Sequence, residues 1–118
     1  MLDILFGSKN AERVLQYLLS KETGYIREIA QFYEVSPSVI KKQLDKFELA
    51  NIIVGRNLAN IRMYELNKRY PFYEELSALL KKARSTYSDE ERMKLIRKKR
   101  ARPRANKKPL IMRNKNEK

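Results

Sequence analysis

A short segment near the middle of the chain carries side chains suited to contact with nucleic acid. It runs from Glu34 to Phe47 and combines serines, lysines and a glutamine. Lysine can neutralise phosphate, glutamine can hydrogen-bond an adenine edge, and serine fits either role. Between Ser36 and Lys46, Asp45 is the only acid. These residue types indicate contact with a polyanion, and the alternative is the solvated face of an ordinary helix.

The spacing of the apolar residues predicts the helix that presents these side chains. Ile40, Leu44 and Phe47 recur at i, i+4 and i+7, which is one stripe of a helix. Ser36 is a suitable N-cap, because its hydroxyl can accept a hydrogen bond from a backbone N–H of the first turn. Pro37 fits the first helical position, where its missing N–H costs nothing. The candidate contact residues of this helix are Ser36, Ser38, Val39, Lys41, Lys42, Gln43 and Lys46.

Two amphipathic segments precede this helix. The first predicts a helix from about Lys9 to Ser20, with apolar residues at helical spacing. The second predicts a helix from Ile26 to Tyr33, after a short extended piece at Gly24–Tyr25. Only the turn Glu34–Val35 separates it from Ser36. Two short helices joined by such a turn are typical of a helix-turn-helix.

A β-hairpin is predicted after the helix-turn-helix. Residues 52–54 are all β-branched, and Ile61 to Leu66 form a second apolar segment. The link from Arg56 to Asn60 predicts a loop of a few residues. A hairpin in this position would be the wing of a winged helix, whereas the alternative is a plain hairpin that closes a small core. Its candidate phosphate or minor-groove ligands are Arg56, Asn57, Asn60 and Arg62.

A further amphipathic helix is predicted from Phe72 to Ala83. Its apolar stripe, residues 72–83, has two possible uses: packing on the first helix or pairing with a second copy of the chain. Because the preceding elements already fill a small core, we favour a homodimer through this helix.

The charge of the chain rises sharply after Arg84. Residues 1–84 carry 14 basic and 10 acidic side chains, a net charge of +4, whereas residues 85–118 carry 13 and 4, a net charge of +9. Ser88 to Glu91 form a capping box, which predicts a helix from about Asp89 to Arg100. We expect the rest to be a mobile basic arm that binds phosphate without sequence preference, and the alternative is a solubilising tail. The arm's candidate ligands are Arg97, Lys98, Lys99, Arg100, Arg102 and Arg104.

The composition excludes several classes of function. The chain has 118 residues, a net charge of +13, and neither cysteine nor histidine. Disulfides, thiolate or imidazole metal sites, and catalysis by His or Cys are therefore excluded. We expect no metal, no cofactor and no catalytic residues. No apolar run approaches the roughly 20 residues of a membrane span, and the N-terminus lacks a signal pattern, so a cytoplasmic protein is expected.

The order of these elements resembles the winged helix-turn-helix transcriptional regulators of the ArsR/MarR type. It is especially similar to small winged-helix proteins often associated with minimal nucleotidyltransferases, through residues 5–9 (LFGSK) and 35–40 (VSPSVI). The likeness covers about Leu5 to Arg84. It implies that residues 36–46 enter the major groove, that the hairpin lies along the DNA backbone, and that homodimers are frequent. Metal sensing is not implied, because the ligands are missing, and no nucleotidyltransferase motif is present.

Together these patterns predict a mostly α protein with a small β-hairpin, an α+β fold. It consists of a winged helix-turn-helix domain at residues 1–84 and a basic C-terminal arm at residues 85–118. The predicted function is sequence-specific binding of double-stranded DNA by a transcriptional regulator that is not an enzyme. The alternatives are an RNA-binding or ribosome-associated basic protein, and a winged helix that contacts other proteins.

Overall fold

The computed structural model describes residues 2–97, and within them the chain forms six helices and one antiparallel hairpin. The elements are α1 (Asp3–Phe6), α2 (Lys9–Lys21), α3 (Ile26–Tyr33), α4 (Pro37–Leu49), β1 (Ile53–Leu58), β2 (Ile61–Leu66), α5 (Tyr73–Ser85) and α6 (Asp89–Ile96). The predicted α+β winged-helix architecture is confirmed. The short helix α1 was not predicted, because a single turn is too short to show a helical period.

Local signals set the limits of α2 and α3. Ser8 caps α2, since its Oγ accepts from the backbone N–H of Ala11 at 3.0 Å. Helix α3 ends at Tyr33, and Glu34 after it adopts a left-handed conformation with φ of 58°. The N–H of Val35 then donates to the carbonyl of Ala30 at 3.0 Å, so the backbone of the turn stays paired. This bond closes the turn between α3 and α4.

The core lies where α2 meets α3, α4 and the hairpin. Its buried side chains come from α2, α3, α4 and α5 and from inward positions of the two strands. Burial of such side chains stabilises the fold by roughly 1.5–3 kcal/mol for each large aliphatic group. The largest fully buried aliphatic residues are Val14, Leu15, Leu18, Ile29, Ile40, Leu44, Ile53 and Leu80. The predicted stripes of α2 and α4 are therefore core.

The hairpin is longer and its turn tighter than the sequence predicts. β1 pairs with β2 from Ile53↔Leu66 to Leu58↔Ile61, so Arg56 and Asn57 are strand residues and not part of a loop. Ala59 and Asn60 make the turn, with Ala59 at φ 53°. The predicted loop at residues 56–60 is wrong because each added strand pair satisfies backbone groups that a longer loop would leave to water.

The predicted extended piece at Gly24 contributes one further backbone pairing to the sheet. The N–H of Gly24 donates to the carbonyl of Tyr64 at 3.0 Å, and the N–H of Tyr64 returns a bond at 2.8 Å. A Cβ at Gly24 would lie 2.8 Å from the Tyr17 ring. Glycine is needed here because this ring packs directly on the backbone.

Helix α5 packs on α2. The dimer was predicted on the assumption that the elements before α5 fill the core, and this assumption is wrong. Leu80 and Ala83 are buried, and Leu76 packs partly against the core. The buried Nε2 of Gln16 also donates to the carbonyl of Leu80 at 2.8 Å. The preceding elements therefore do not complete the core by themselves, since α5 supplies part of it. Two large apolar side chains stay outward here: Phe72, the N-cap residue of α5, at 62% exposure, and Leu79 within the helix at 38%.

Helix α6 also packs on the domain, through Leu95, which is 3% exposed. The serine half of the predicted capping box is present, since Ser88 Oγ accepts from the N–H of Glu91 at 3.2 Å. The Glu91 carboxylate accepts from the Ser88 hydroxyl at 3.2 Å, and not from the backbone N–H that a capping box uses. Helix α6 was predicted to reach Arg100, but it ends at Ile96, and Arg97 has an extended backbone. The described residues end at Arg97. Residues 85–97, assigned to the tail from the sequence, contact α2.

Candidate nucleic-acid interface

The outer face of α4 presents most of the predicted contact residues to solvent. Ser36, Ser38, Lys41, Lys42 and Lys46 are exposed. Val39 is half-buried and packs against the core, so only part of its side chain is available. The face is polar and cationic along nearly three turns of helix, which is suitable for a polyanionic partner.

Ser36 occupies the predicted N-cap position, but its hydroxyl does not cap the helix. The Ser36 side chain makes no capping hydrogen bond, and its Oγ lies 3.1 Å from the Oγ of Ser38. The prediction is right about where α4 begins and wrong about the bond. Pro37 stands at the first helical position, as predicted.

Gln43 was predicted to be exposed, and the structure corrects this placement. The residue is 8% exposed, and its Oε1 is buried without a hydrogen-bond partner in the described part of the chain. Gln43 stands three residues after Ile40 and beside Leu44, so it belongs to the arc that packs on the core. Gln43 fills the i+3 position of the stripe that Ile40, Leu44 and Phe47 form. Its side chain is polar, so the sequence pattern did not indicate that it is buried. In this structure Gln43 does not present its amide oxygen outward.

The three lysines of α4 differ in their contacts. Lys41 Nζ lies 2.7 Å from Asp45 Oδ2, and this hydrogen bond raises the pKa of Lys41. Lys46 Nζ donates to the carbonyl of Phe6 at 2.8 Å. Lys42 is exposed and has no hydrogen-bond or ion-pair partner within residues 2–97. Lys42 can therefore neutralise a phosphate without first giving up a contact.

The two wing arginines also differ. Arg56 Nε lies 3.6 Å from Glu65 Oε2, and 55% of its side chain is exposed. The Arg62 side chain, 37% exposed, forms an ion pair with Glu48, and this hydrogen bond raises the pKa of Arg62. Arg62 Nη1 also donates to Asn57 Oδ1 at 3.0 Å. Arg56 is therefore the more available cation. No local sequence pattern indicates Glu48 as the partner of Arg62.

The remaining predicted ligands lie at the turn of the hairpin and at the end of the described chain. Asn60 is exposed at the turn and Arg97 is exposed after α6. The other arm residues lie outside the described residues: Lys98, Lys99, Arg100, Arg102 and Arg104. Residues 2–97 carry 17 basic and 13 acidic side chains, a net charge of +4, whereas residues 98–118 carry 10 and 1, a net charge of +9. Most of the excess positive charge therefore lies in the last 21 residues.

A pocket of about 470 Å³ is lined by residues of α2, of α3 and of the segment from Thr86 to Leu95. Tyr33 donates to the carbonyl of Arg13 at 3.0 Å, and burial raises the pKa of Tyr33.

Among residues 2–97, no group of three or more His, Cys, Asp or Glu side chains is placed to hold a metal ion. In the same range, no helix combines the length and apolar character that crossing a membrane requires.

Comparison with solved structures identifies the fold. YusO of Bacillus subtilis matches with a TM-score of 0.54 and 23% identity, over 71% of this chain and 65% of that one. A variant of ZitR from Lactococcus lactis matches with a TM-score of 0.52 and 21% identity, over 72% of this chain and 65% of that one. The chain thus spans slightly less than two thirds of each of these proteins.

These matches confirm the predicted winged-helix fold. ZitR is described as a zinc-responsive member of the MarR family, and it has also been solved in complex with DNA. The predicted resemblance to winged-helix regulators of the MarR type therefore holds at the level of the fold. Neither a search of protein-family models nor one of curated proteins finds a match to this sequence.

Proposed function

We propose that this protein binds double-stranded DNA and regulates transcription. The observation that carries the proposal is the exposed cationic face of α4, with Lys42 at its centre, beside a wing that carries Arg56. A helix of this kind fits the major groove of B-DNA, and its polar groups reach phosphates and base edges there. The fold shared with ZitR, a protein solved with DNA, supports the same partner.

In this proposal the N-terminal half of α4 lies in the major groove. Ser36, Ser38 and Lys42 contact base edges or nearby phosphates, with Lys41 and Lys46 at the margins. The wing lies along the backbone, where Arg56 and Asn60 bind phosphate or enter the minor groove. Phosphate contacts fix the register of the protein on the duplex, whereas contacts to base edges carry the sequence preference.

The arm supplies affinity in this proposal. Each phosphate that a lysine or arginine neutralises releases counterions, and this release favours binding without regard to sequence. Residues 98–118 hold 10 of the 27 basic side chains. Because residues 85–97 pack on α2, we propose a folded domain that extends to Arg97 and an arm that begins at Lys98.

We also propose a homodimer through the outer side of α5. Leu79 on this helix and Phe72 at its N-cap remain outward, and the Phe72 ring packs edge-on against Tyr70 with ring centroids 5.8 Å apart. A two-fold dimer would present two copies of α4 to half-sites about one helical turn apart, roughly 34 Å. Sedimentation that shows only monomer, with and without duplex DNA, would contradict this assembly.

A direct comparison of ligands tests the proposed function. The full chain is titrated with duplex DNA, with duplex RNA and with single-stranded RNA of matched length and sequence, at several salt concentrations. We expect the tightest binding to duplex DNA at near-physiological salt. Equal or tighter binding to RNA would support the alternative of an RNA-binding protein, and no binding to any of them would support a winged helix that contacts other proteins.

A further inference from the structure

Glu48 and Arg62 connect the last turn of α4 to the second strand of the wing. The Arg62 guanidinium donates through Nη2 to Glu48 Oε2, and through Nη1 to Asn57 Oδ1 at 3.0 Å. Its Cζ lies 5.7 Å from the centre of the Tyr64 ring. The partners come from the helix and from both strands. One side chain therefore links α4 to the whole hairpin.

Gly55 provides the space in which the guanidinium lies. It pairs with Tyr64 across the hairpin, and a Cβ built on Gly55 would lie 2.7 Å from Arg62 Nε. Glycine inside a strand is usually unfavourable, because it costs backbone entropy and contributes no side-chain packing. In this structure the missing Cβ leaves the room that the Arg62 guanidinium occupies, and a side chain at this position would displace it.

We propose that Glu48 is a positioning residue, which fixes the angle between the wing and α4 by holding Arg62. This inference rests on the proposed DNA binding. It assigns Arg62 to a contact within the protein and leaves Arg56 to contact the DNA. A carboxylate near a polyanion is unfavourable by itself, because like charges repel. Glu48 therefore contributes to binding only through the geometry that it imposes on the wing.

Arg56 is the matched comparison on the same hairpin. Its contact with Glu65 is longer, at 3.6 Å, and joins β1 to β2 without involving α4. More of its side chain is exposed, 55% against 37% for Arg62. Arg56 is therefore assigned to phosphate contact, whereas Arg62 is assigned to the link between helix and wing.

The test uses the full chain and a salt series with duplex DNA. The variants are Glu48→Gln, Arg62→Ala, the double substitution of both, and Arg56→Ala. Glu48→Gln and Arg62→Ala are each expected to weaken binding by about two- to fivefold, the range of a partly exposed ion pair. The double variant should lose no more than one single variant, since both remove the same link. Only Arg56→Ala should flatten the log–log salt slope, by about 0.9.

The contrary result is equally specific. If Arg62 binds phosphate directly and Glu48 only competes for it, Glu48→Gln will strengthen binding and Arg62→Ala will flatten the slope. Either outcome overturns the proposal. Gly55→Ala provides an independent route, because the added methyl group must displace the guanidinium. It should weaken binding as Glu48→Gln does, and unchanged or tighter binding would count against the link.

Hydrogen exchange of the free protein separates this proposal from the proposed function. Backbone amides of residues 55–62 should exchange faster in Glu48→Gln than in the native chain, and Arg56→Ala should leave them unchanged. If the native chain binds no duplex DNA, the proposed function fails, whereas the exchange measurement still reports on the wing. Unchanged exchange in Glu48→Gln would show that Glu48 does not hold the wing.

Discussion

The hydroxyl of Tyr87 donates to the carboxylate of Glu12, which joins the segment after α5 to the first turn of α2. Burial raises the pKa of Tyr87 above its ordinary value, and the hydrogen bond to Glu12 acts in the same direction. The backbone N–H of Leu2 donates to the same carboxylate at 2.6 Å. One buried acid therefore binds both the beginning of the described chain and the segment that leads into α6.

This contact predicts that residues 85–97 stabilise the domain. A chain that ends at Arg84 should unfold at lower denaturant concentration than one that ends at Arg97, because it loses the Tyr87 bond and the burial of Leu95. The loss should be at least about 2 kcal/mol, the lower limit for removing a buried leucine side chain. Equal midpoints in urea unfolding of the two chains would show that residues 85–97 do not stabilise the domain and belong to the tail.

Single substitutions in α6 refine the same prediction. Leu95→Ala should lower the free energy of unfolding by about 2–3 kcal/mol, because Leu95 is 3% exposed. Ile96→Ala is the matched control, since Ile96 is 48% exposed on the same helix and should change it by about 0.5 kcal/mol or less. Similar values for the two variants would mean that α6 is not held against α2.

The buried amide of Gln43 predicts an unusual response to substitution. Gln43→Met keeps most of the volume and removes an acceptor, Oε1, that has no partner in the described residues. The free energy of unfolding should rise by about 1 kcal/mol, since an unpaired buried acceptor is costly. Thermal unfolding measures this change. A destabilised Gln43→Met would mean that the oxygen has a partner, such as an ordered water.

DNA binding by the same variant completes that test. If Gln43 stays buried in the complex, Gln43→Met should retain the sequence preference of the native chain. Loss of the preference without loss of stability would mean that Gln43 turns outward on binding and reads a base, as the sequence first indicated.

The arm predicts a change in salt dependence. If residues 98–118 make about four phosphate contacts, a chain that ends at Arg97 should show a log–log salt slope flatter by roughly 3–4 units. The ranking of DNA sequences should be unchanged, because phosphates carry no direct sequence information. Binding of both chains across a salt series measures this. Identical slopes would remove the arm from the interface, and a changed ranking would mean that it reads bases.

Repeated apolar spacing made most of the fold predictable. The stripe of Ile40, Leu44 and Phe47 defined α4, and the bounds of α3 followed from Ile26 and from the turn after Tyr33. These signals are local, since each depends on residues within two or three turns of one helix. The docking of α6 was not predictable in this way, because a single residue, Leu95, makes most of its apolar contact.

The candidate site was predictable in its residue types but not in its contacts. The exposed lysines of α4 followed from helix geometry, whereas the burial of Gln43 depends on how α4 rotates against the core. The pairing of Glu48 with Arg62 spans 14 residues and joins a helix to a strand, so no local pattern reports it. Contacts of this kind are set by tertiary packing.

Selection of bound duplexes from a random pool tests the central claim most directly. The native chain and Lys42→Glu are selected in parallel; Lys42 is exposed, so the substitution should leave the melting temperature nearly unchanged. We predict that the native chain enriches a defined sequence motif and that Lys42→Glu, although folded, loses it, because the new carboxylate repels the phosphates beside the major groove. No enrichment by the native chain, or the same motif recovered with Lys42→Glu, would contradict the proposal that α4 reads DNA.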